Sequence, residues 1–256
     1  MNARPKSKDQ PDYGNWVSKK LIYVPGIVSL AFWGLAFLSL WWMLPAALFL
    51  CVAVYFGYAR FLFSSRGKNI QARIRGLVLD HLDWKGEGQA LDIGCGGGAL
   101  VIELARQHPQ AKVCGIDSWG EDWEYSQTVC EQNAQLEGVG ERVIFRKGSA
   151  SELPFDDESL DAVVSNLVFH EVKETPDKRE LVREALRVLR KGGKFAFQDL
   201  FLFERSYGSP AELVETLRGW GMSRVEFIPT REATFIPHTL KLPFMVGTLG
   251  LLAGEK

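Results

Sequence analysis

The chain has 256 residues, 46% of them apolar, which is enough for one domain with a well-buried core and something in addition. Its 30 Lys and Arg stand against 31 Asp and Glu, and this near-neutral balance argues against nucleic acid or an acidic polymer as partner. Cys51, Cys95, Cys114 and Cys130 form neither a C-x-x-C pair nor a metal-ligand spacing, which predicts a reduced domain without a metal site.

Residues 1–18 are polar and carry Pro5, Pro11 and Gly14, the composition of a mobile tail. From Leu21 to Ala59 there is no Asp, Glu, Lys or Arg. A membrane-spanning helix needs about 20 apolar residues, so this run accommodates two spans and a tight turn. Pro25 and Pro45 are expected in the first turns of the two helices, where a missing N–H is harmless. Trp41-Trp42-Met43-Leu44 forms the connection, and paired tryptophans suit the far membrane–water interface. Lys19 and Lys20 precede the run and Arg60, Arg66 and Lys68 follow it, so both ends face the cytoplasm by the positive-inside rule. Residues 19–65 are therefore read as a two-helix transmembrane hairpin whose partner is the lipid bilayer, through residues 21–63. The remainder, 66–256, is expected as a domain on the cytoplasmic side.

That remainder alternates helix and strand. Asn69–Leu82 carries apolar residues at helical spacing. Strands are expected at 90–93, 112–116, 143–146, 160–165, 194–198, 224–228 and 248–254. Helices are expected at 99–107, 122–137, 177–189 (stopped by Gly192-Gly193) and 210–220. The alternation predicts an α/β fold: a Rossmann-like, doubly wound, mostly parallel seven-stranded sheet.

Between the first strand and the helix after it lies Leu91-Asp92-Ile93-Gly94-Cys95-Gly96-Gly97-Gly98. Glycines in such a turn let backbone approach a ligand closely. The spacing of Gly94, Gly96 and Ala99 alone equally suits a dinucleotide. Asp117 ends the next strand, where a carboxylate accepts both hydroxyls of a ribose. Asp92 is more discriminating, because a carboxylate attracts an amino group and repels a pyrophosphate.

With the segments that follow, the loop resembles motif I of the class I S-adenosylmethionine (SAM)-dependent methyltransferases. Residues 148–155 are similar to that family's adenine loop, 160–166 to its motif IV and 186–194 to the turn before its fifth strand. The resemblance spans about residues 69–200 and leans toward the ubiquinone/menaquinone-biosynthesis type of small-molecule enzyme. It implies SAM as cofactor, with Asp92 near its ammonium, Asp117 at its ribose, and Gly94, Cys95, Gly96, Ser118, Ser149, Ala150 and Asn166 around it. Ser149 stands where the family often has an acid. Trp119 and Trp123 either stack on adenine or pack against helices.

Methyl transfer is chiefly a matter of positioning, with a base needed only where the acceptor holds a proton of high pKa. His170 is the first candidate base, with Glu171 and Asp199 as alternatives and His238 behind them. The apolar stretch 235–246, broken by Pro237 and Pro243, reads as core, as a lid, or as a surface dipping into the membrane interface. The expected function is transfer of a methyl group from SAM to a small, lipophilic acceptor at a membrane. Rival readings are an NAD(P)-dependent oxidoreductase and a non-catalytic SAM-binding scaffold.

Overall fold

The computed structural model describes residues 10–120 and 126–256. They divide into two compact units: Asn15–Ile74 forms one, and Arg75–Lys256 with the described part of Met1–Gly14 forms the other.

In the smaller unit, α1 (Lys20–Leu35) and α2 (Met43–Phe63) run antiparallel, joined through a 3-10 turn at Leu40–Trp42. Ser29, Ala46 and Ala53 are buried, and such small side chains let the backbones close up. There the Ser29 hydroxyl donates to the Ala46 carbonyl at 2.7 Å. Phe32 stacks on Trp42 and Phe49, with ring centroids 5.5 and 5.8 Å away. Outer positions such as Ile27, Leu30, Leu48 and Val54 are exposed, and Phe37 at the turn is 95% exposed. Pro45 lies in the first turn of α2 as expected. Pro25 does not lie in the first turn of α1, because Ser18 and Lys19 carbonyls already accept amides from Leu21 to Tyr23 and start the helix earlier. Its ring therefore removes one hydrogen bond from the helix interior. Among the described residues, Leu40–Phe63 is the one helical stretch long and apolar enough to cross a membrane. The 16 residues of α1 rise only about 24 Å. At the other end of the pair, Asn15 Nδ2 donates to the Arg60 carbonyl at 3.1 Å, and the Arg60 guanidinium donates to the Val17 carbonyl.

The larger unit holds the sheet. Its strands are β1 (Gln89–Ile93), β2 (Lys112–Asp117), β3 (Val143–Lys147), β4 (Leu160–Asn166), β5 (Leu189–Asp199), β6 (Arg224–Ile228) and β7 (Gly250–Glu255). They lie in the order β3-β2-β1-β4-β5-β7-β6, with β1 to β5 parallel and β7 antiparallel to both of its neighbours. One face buries Val163, Phe195 and Phe197 with Leu181 and Leu186 of α6 (Lys178–Arg187) and Leu213 and Leu217 of α8 (Pro210–Gly219). The other buries Val164 and Ala196 with Val101 and Leu104 of α4 (Ala99–Gln107), Cys130 of α5 (Gln127–Leu136), and Val78 and Leu79 of α3 (Ile70–Asp80). The order reverses between β1 and β4, which puts the switch point of the sheet at the glycine loop.

Most boundaries shift by a residue or two, and two differ for a physical reason or lie partly outside the described residues. Gly192-Gly193 does not stop α6, which ends at Arg187, because the Glu158 and Leu160 amides take the Arg187 and Val188 carbonyls and pull the chain into the sheet. The two glycines instead lie inside β5, bonded on both sides to the backbone of Lys256. The expected helix 122–137 is described from Gln127, capped by the Ser126 hydroxyl; residues 121–125, Trp123 among them, lie outside the described residues.

Candidate functional site

The turn after β1 is built by its glycines and by the end of β2. Gly94 has φ +69, and a Cβ there would come within 2.1 Å of Val168 Cγ2, so the loops after β1 and β4 meet only because this residue is glycine. Gly94 and Cys95 amides donate to the Ile116 carbonyl at 2.8 and 3.0 Å. The Gly96 amide donates to Asp117 Oδ2 at 2.8 Å, and the Trp119 amide to Asp117 Oδ1 at 2.7 Å. On the other side of the loop, Trp119 Nε1 and Cys130 Sγ donate to the Gly96 carbonyl at 3.1 and 3.0 Å. Asn133 Nδ2 donates to the Gly97 carbonyl at 2.9 Å. The carbonyls are thus turned toward α5 and Trp119, and Asp117 keeps lone pairs to accept from a ligand.

Asp92 is only 1% exposed, and its Oδ2 has no hydrogen-bond partner. Burial, then the neighbouring Asp117 carboxylate, push its pKa well above the usual carboxylate range, against the opposing pull of the Val101 amide and Arg75. A buried acid in this condition is stabilised by a cation brought to it. The SAM ammonium is such a group, whereas a pyrophosphate is not.

Ser118 is exposed beside Asp117. In the loop after β3, the Gly148 amide donates to the Asp117 carbonyl, Ala150 is buried, and the Ser149 hydroxyl pairs with that of Ser151 at 2.7 Å. Asn166 ends β4 opposite Gln198, with its side-chain Oδ1 buried and unpartnered. Asp92, Gly94, Cys95, Gly96, Asp117, Ser149, Ala150 and Asn166 all stand on strands β1 to β4 or on the loops that leave their carboxyl ends.

The second cluster forms where β4 and β5 end. Asp199 is fully buried and accepts five hydrogen bonds: from the Val168, Phe169 and Leu200 amides, from His170 Nδ1 at 2.7 Å, and from the Tyr207 hydroxyl at 3.2 Å. That carboxylate has no edge left to present to a substrate, so Asp199 orients the loop and the imidazole. His170 is 24% exposed at its side chain, and its Nε2 lies 3.2 Å from Glu171 Oε1. Burial lowers the pKa of His170, but hydrogen bonds to Asp199 and Glu171, and their charges, outweigh it and raise it to about 10. The same contact lowers that of Glu171. None of the bonds in this cluster involves His238, which is exposed on a 3-10 turn. In the stretch 235–246, Ile236, Leu240 and Val246 are buried, while Phe244 is exposed.

Three participants escaped the sequence reading. Tyr207 sits on the one-turn helix α7 (Glu204–Tyr207), with no pattern to mark it. Cys130 and Asn133 were detectable as residues three apart on the buried face of a helix, Asn133 being a polar group in an apolar setting.

Residues 91–197 match the family model described as "Methyltransferase domain". The chain is 37% identical over 110 residues to a demethylmenaquinone methyltransferase of Roseiflexus castenholzii, covering 43% of this chain and 41% of that protein. It is 33% identical over 142 residues to the 27-O-demethylrifamycin SV methyltransferase of Amycolatopsis mediterranei, covering 56% and 49%. The chain thus spans about half the length of the curated relatives it matches. A geranyl diphosphate methyltransferase solved with SAM superposes with a TM-score of 0.55 at 16% identity, over 77% of this chain and 89% of that one, and shares its fold. Residues 91–197, with their glycine turn and flanking carboxylates, thus match a methyltransferase domain.

Proposed function

We propose that the protein is a membrane-anchored methyltransferase that moves a methyl group from SAM to a small, lipophilic acceptor. The observation that carries the cofactor reading is the buried, unpartnered Oδ2 of Asp92 beside a glycine turn. In this reading Asp92 receives the ammonium, Asp117 the ribose hydroxyls, and the 148–155 loop and Asn166 border the adenine and the reacting centre. Bound there, SAM supplies a methyl group made electrophilic by its sulfonium. The chain orients the acceptor, excludes water and manages its proton. Asp199 fixes the Nδ1 side of His170, so Nε2 is the atom that takes a proton from a hydroxyl acceptor once Glu171 gives way to substrate. Relatives named for demethylmenaquinone and for phthiotriol and phenolphthiotriol dimycocerosates support a small organic acceptor. A pyrophosphate beside Asp92 would be repelled, which disfavours the NAD(P) reading.

The anchoring rests on the exposed apolar surface of α1 and α2 and on the 24-residue stretch Leu40–Phe63. Residues 21–63 enter the bilayer as a helical pair, the Trp41-Trp42 turn on the far side and residues 66–256 on the cytoplasmic side. Calorimetry with SAM, S-adenosylhomocysteine and NAD tests the cofactor: micromolar binding of the first two and none of NAD is expected, and absence of SAM binding defeats the proposal. Comparing metabolite extracts with and without the protein, for species heavier by one methylene, tests turnover and rejects the non-catalytic scaffold if such species appear.

A further inference from the structure

The short segment ahead of the apolar helices is tied to the cofactor turn through a single side chain. Asn133 is 3% exposed and uses its whole carboxamide. Its Oδ1 accepts the Asp12 amide at 2.8 Å, and its Nδ2 donates both to the Asp12 carbonyl and to the Gly97 carbonyl, each at 2.9 Å. It therefore pairs with Asp12 as a neighbouring strand would, with its second N–H left for the loop. The seat is reinforced on either side. Asp12 Oδ1 accepts the Gly14 amide at 3.0 Å, closing a turn, and the Tyr13 hydroxyl donates to Glu137 at 3.2 Å while its ring packs on the core that contains Cys130 and Val101. Burial, with Glu137 beside it, raises the pKa of Tyr13, so the phenol remains a donor.

We propose that Asn133 is a positioning residue through which residues 12–14 hold the Gly96–Gly97 turn in its SAM-binding shape. The inference rests on the SAM reading of that turn. Gly97 and its neighbours lack side chains, so their carbonyls are fixed only by donors from outside, and Asn133 supplies one of them. A carboxamide shared between two backbone segments couples their order: seating Asp12 fixes the rotamer that reaches Gly97, and a bound cofactor must by reciprocity favour the seated segment.

The test uses the full chain. Asp12→Pro removes the N–H that Asn133 accepts and leaves every residue of the turn in place; Asn133→Asp removes the donor itself. By calorimetry, each is expected to raise the Kd for SAM about five- to tenfold, the range of one or two lost hydrogen bonds. In hydrogen exchange on the unmodified protein, SAM is expected to slow the amides of residues 12–14 as well as those of 94–98. Unchanged affinity in a folded Asp12→Pro chain, or no SAM-dependent protection of residues 12–14, overturns the proposal. Should Asp12→Pro not fold, the exchange measurement decides alone. If the unmodified chain fails to bind SAM, it is the cofactor reading that falls.

Discussion

Asp92 and His170 are both held away from their ordinary titration, in ways that measurement separates. With Asp92 raised in the folded state, the unfolded chain loses its proton first as pH climbs out of the carboxylate range, so the cofactor-free fold loses stability across that window. Asp92→Asn should remove this slope, stabilise the cofactor-free protein by on the order of 1–3 kcal/mol in urea titration near neutral pH, and weaken SAM binding at least about tenfold. An Asn variant that is less stable and still binds SAM would contradict both halves. His170 is also raised, so its contribution to stability is complete below its ordinary pKa of 6.5 and is lost as pH rises through about 10. The groups that set it are Asp199, with Tyr207 sharing that carboxylate, and Glu171, beside which Lys173 lies. Glu171→Gln should therefore lower the imidazole pKa, read by NMR titration of His170, and move the alkaline rise of methyl transfer to a hydroxyl acceptor toward neutral pH. The place of Asp92 was legible in the sequence, because it stands near the end of a strand just ahead of a glycine turn. The partnering of Asp199 was not, because its donors come from three stretches, 168–170, Leu200 and Tyr207, that the folded sheet brings together.

At the level of elements, the glycine turn and the caps do most of the specifying. Gly94→Ala should destabilise the domain by more than about 1 kcal/mol and abolish SAM binding, since it combines a left-handed backbone with contact against Val168; wild-type affinity would mean that the loops after β1 and β4 separate freely. The Ser209 hydroxyl and Glu212 form a capping box at the start of α8. Ser209→Ala should cost about 1 kcal/mol of stability by thermal melting while leaving SAM affinity unchanged. Elements with strong period and clear punctuation, such as Ala99–Gln107 and Arg224–Ile228, were read from the sequence to the residue. The misread ones had punctuation with a second use. A glycine pair suits a helix end, but here it lets β5 pass beside the chain at Lys256. A proline suits a helix start, but here the helix begins a turn earlier.

At the scale of the molecule, the chain begins its described course on the larger unit, leaves at Asn15 for the apolar helical pair and returns at Arg75. The division at Gly14 and Asn15 was invisible in the sequence, where residues 1–18 read as one polar tail, because docking through a backbone and one distant Asn leaves no pattern. Leu48→Lys with Val54→Lys, two exposed positions on α2, should move the protein from the floating to the soluble fraction of a liposome flotation while leaving SAM binding intact. Flotation of the double variant equal to that of the parent would remove the bilayer from the proposal. The antiparallel strand β7 has a different consequence, one of timing. β6 reaches the sheet only by pairing with β7, which follows it in the chain after the long connection 229–249. On the ribosome, β1 to β5 are complete while the edge of β5, with Phe195 and Phe197, still waits open for β7 and β6 has no partner strand. Nascent chains paused or cut between Ile228 and Gly250 should therefore be the aggregation-prone species, a hazard set by translation speed rather than by the stability of the finished fold.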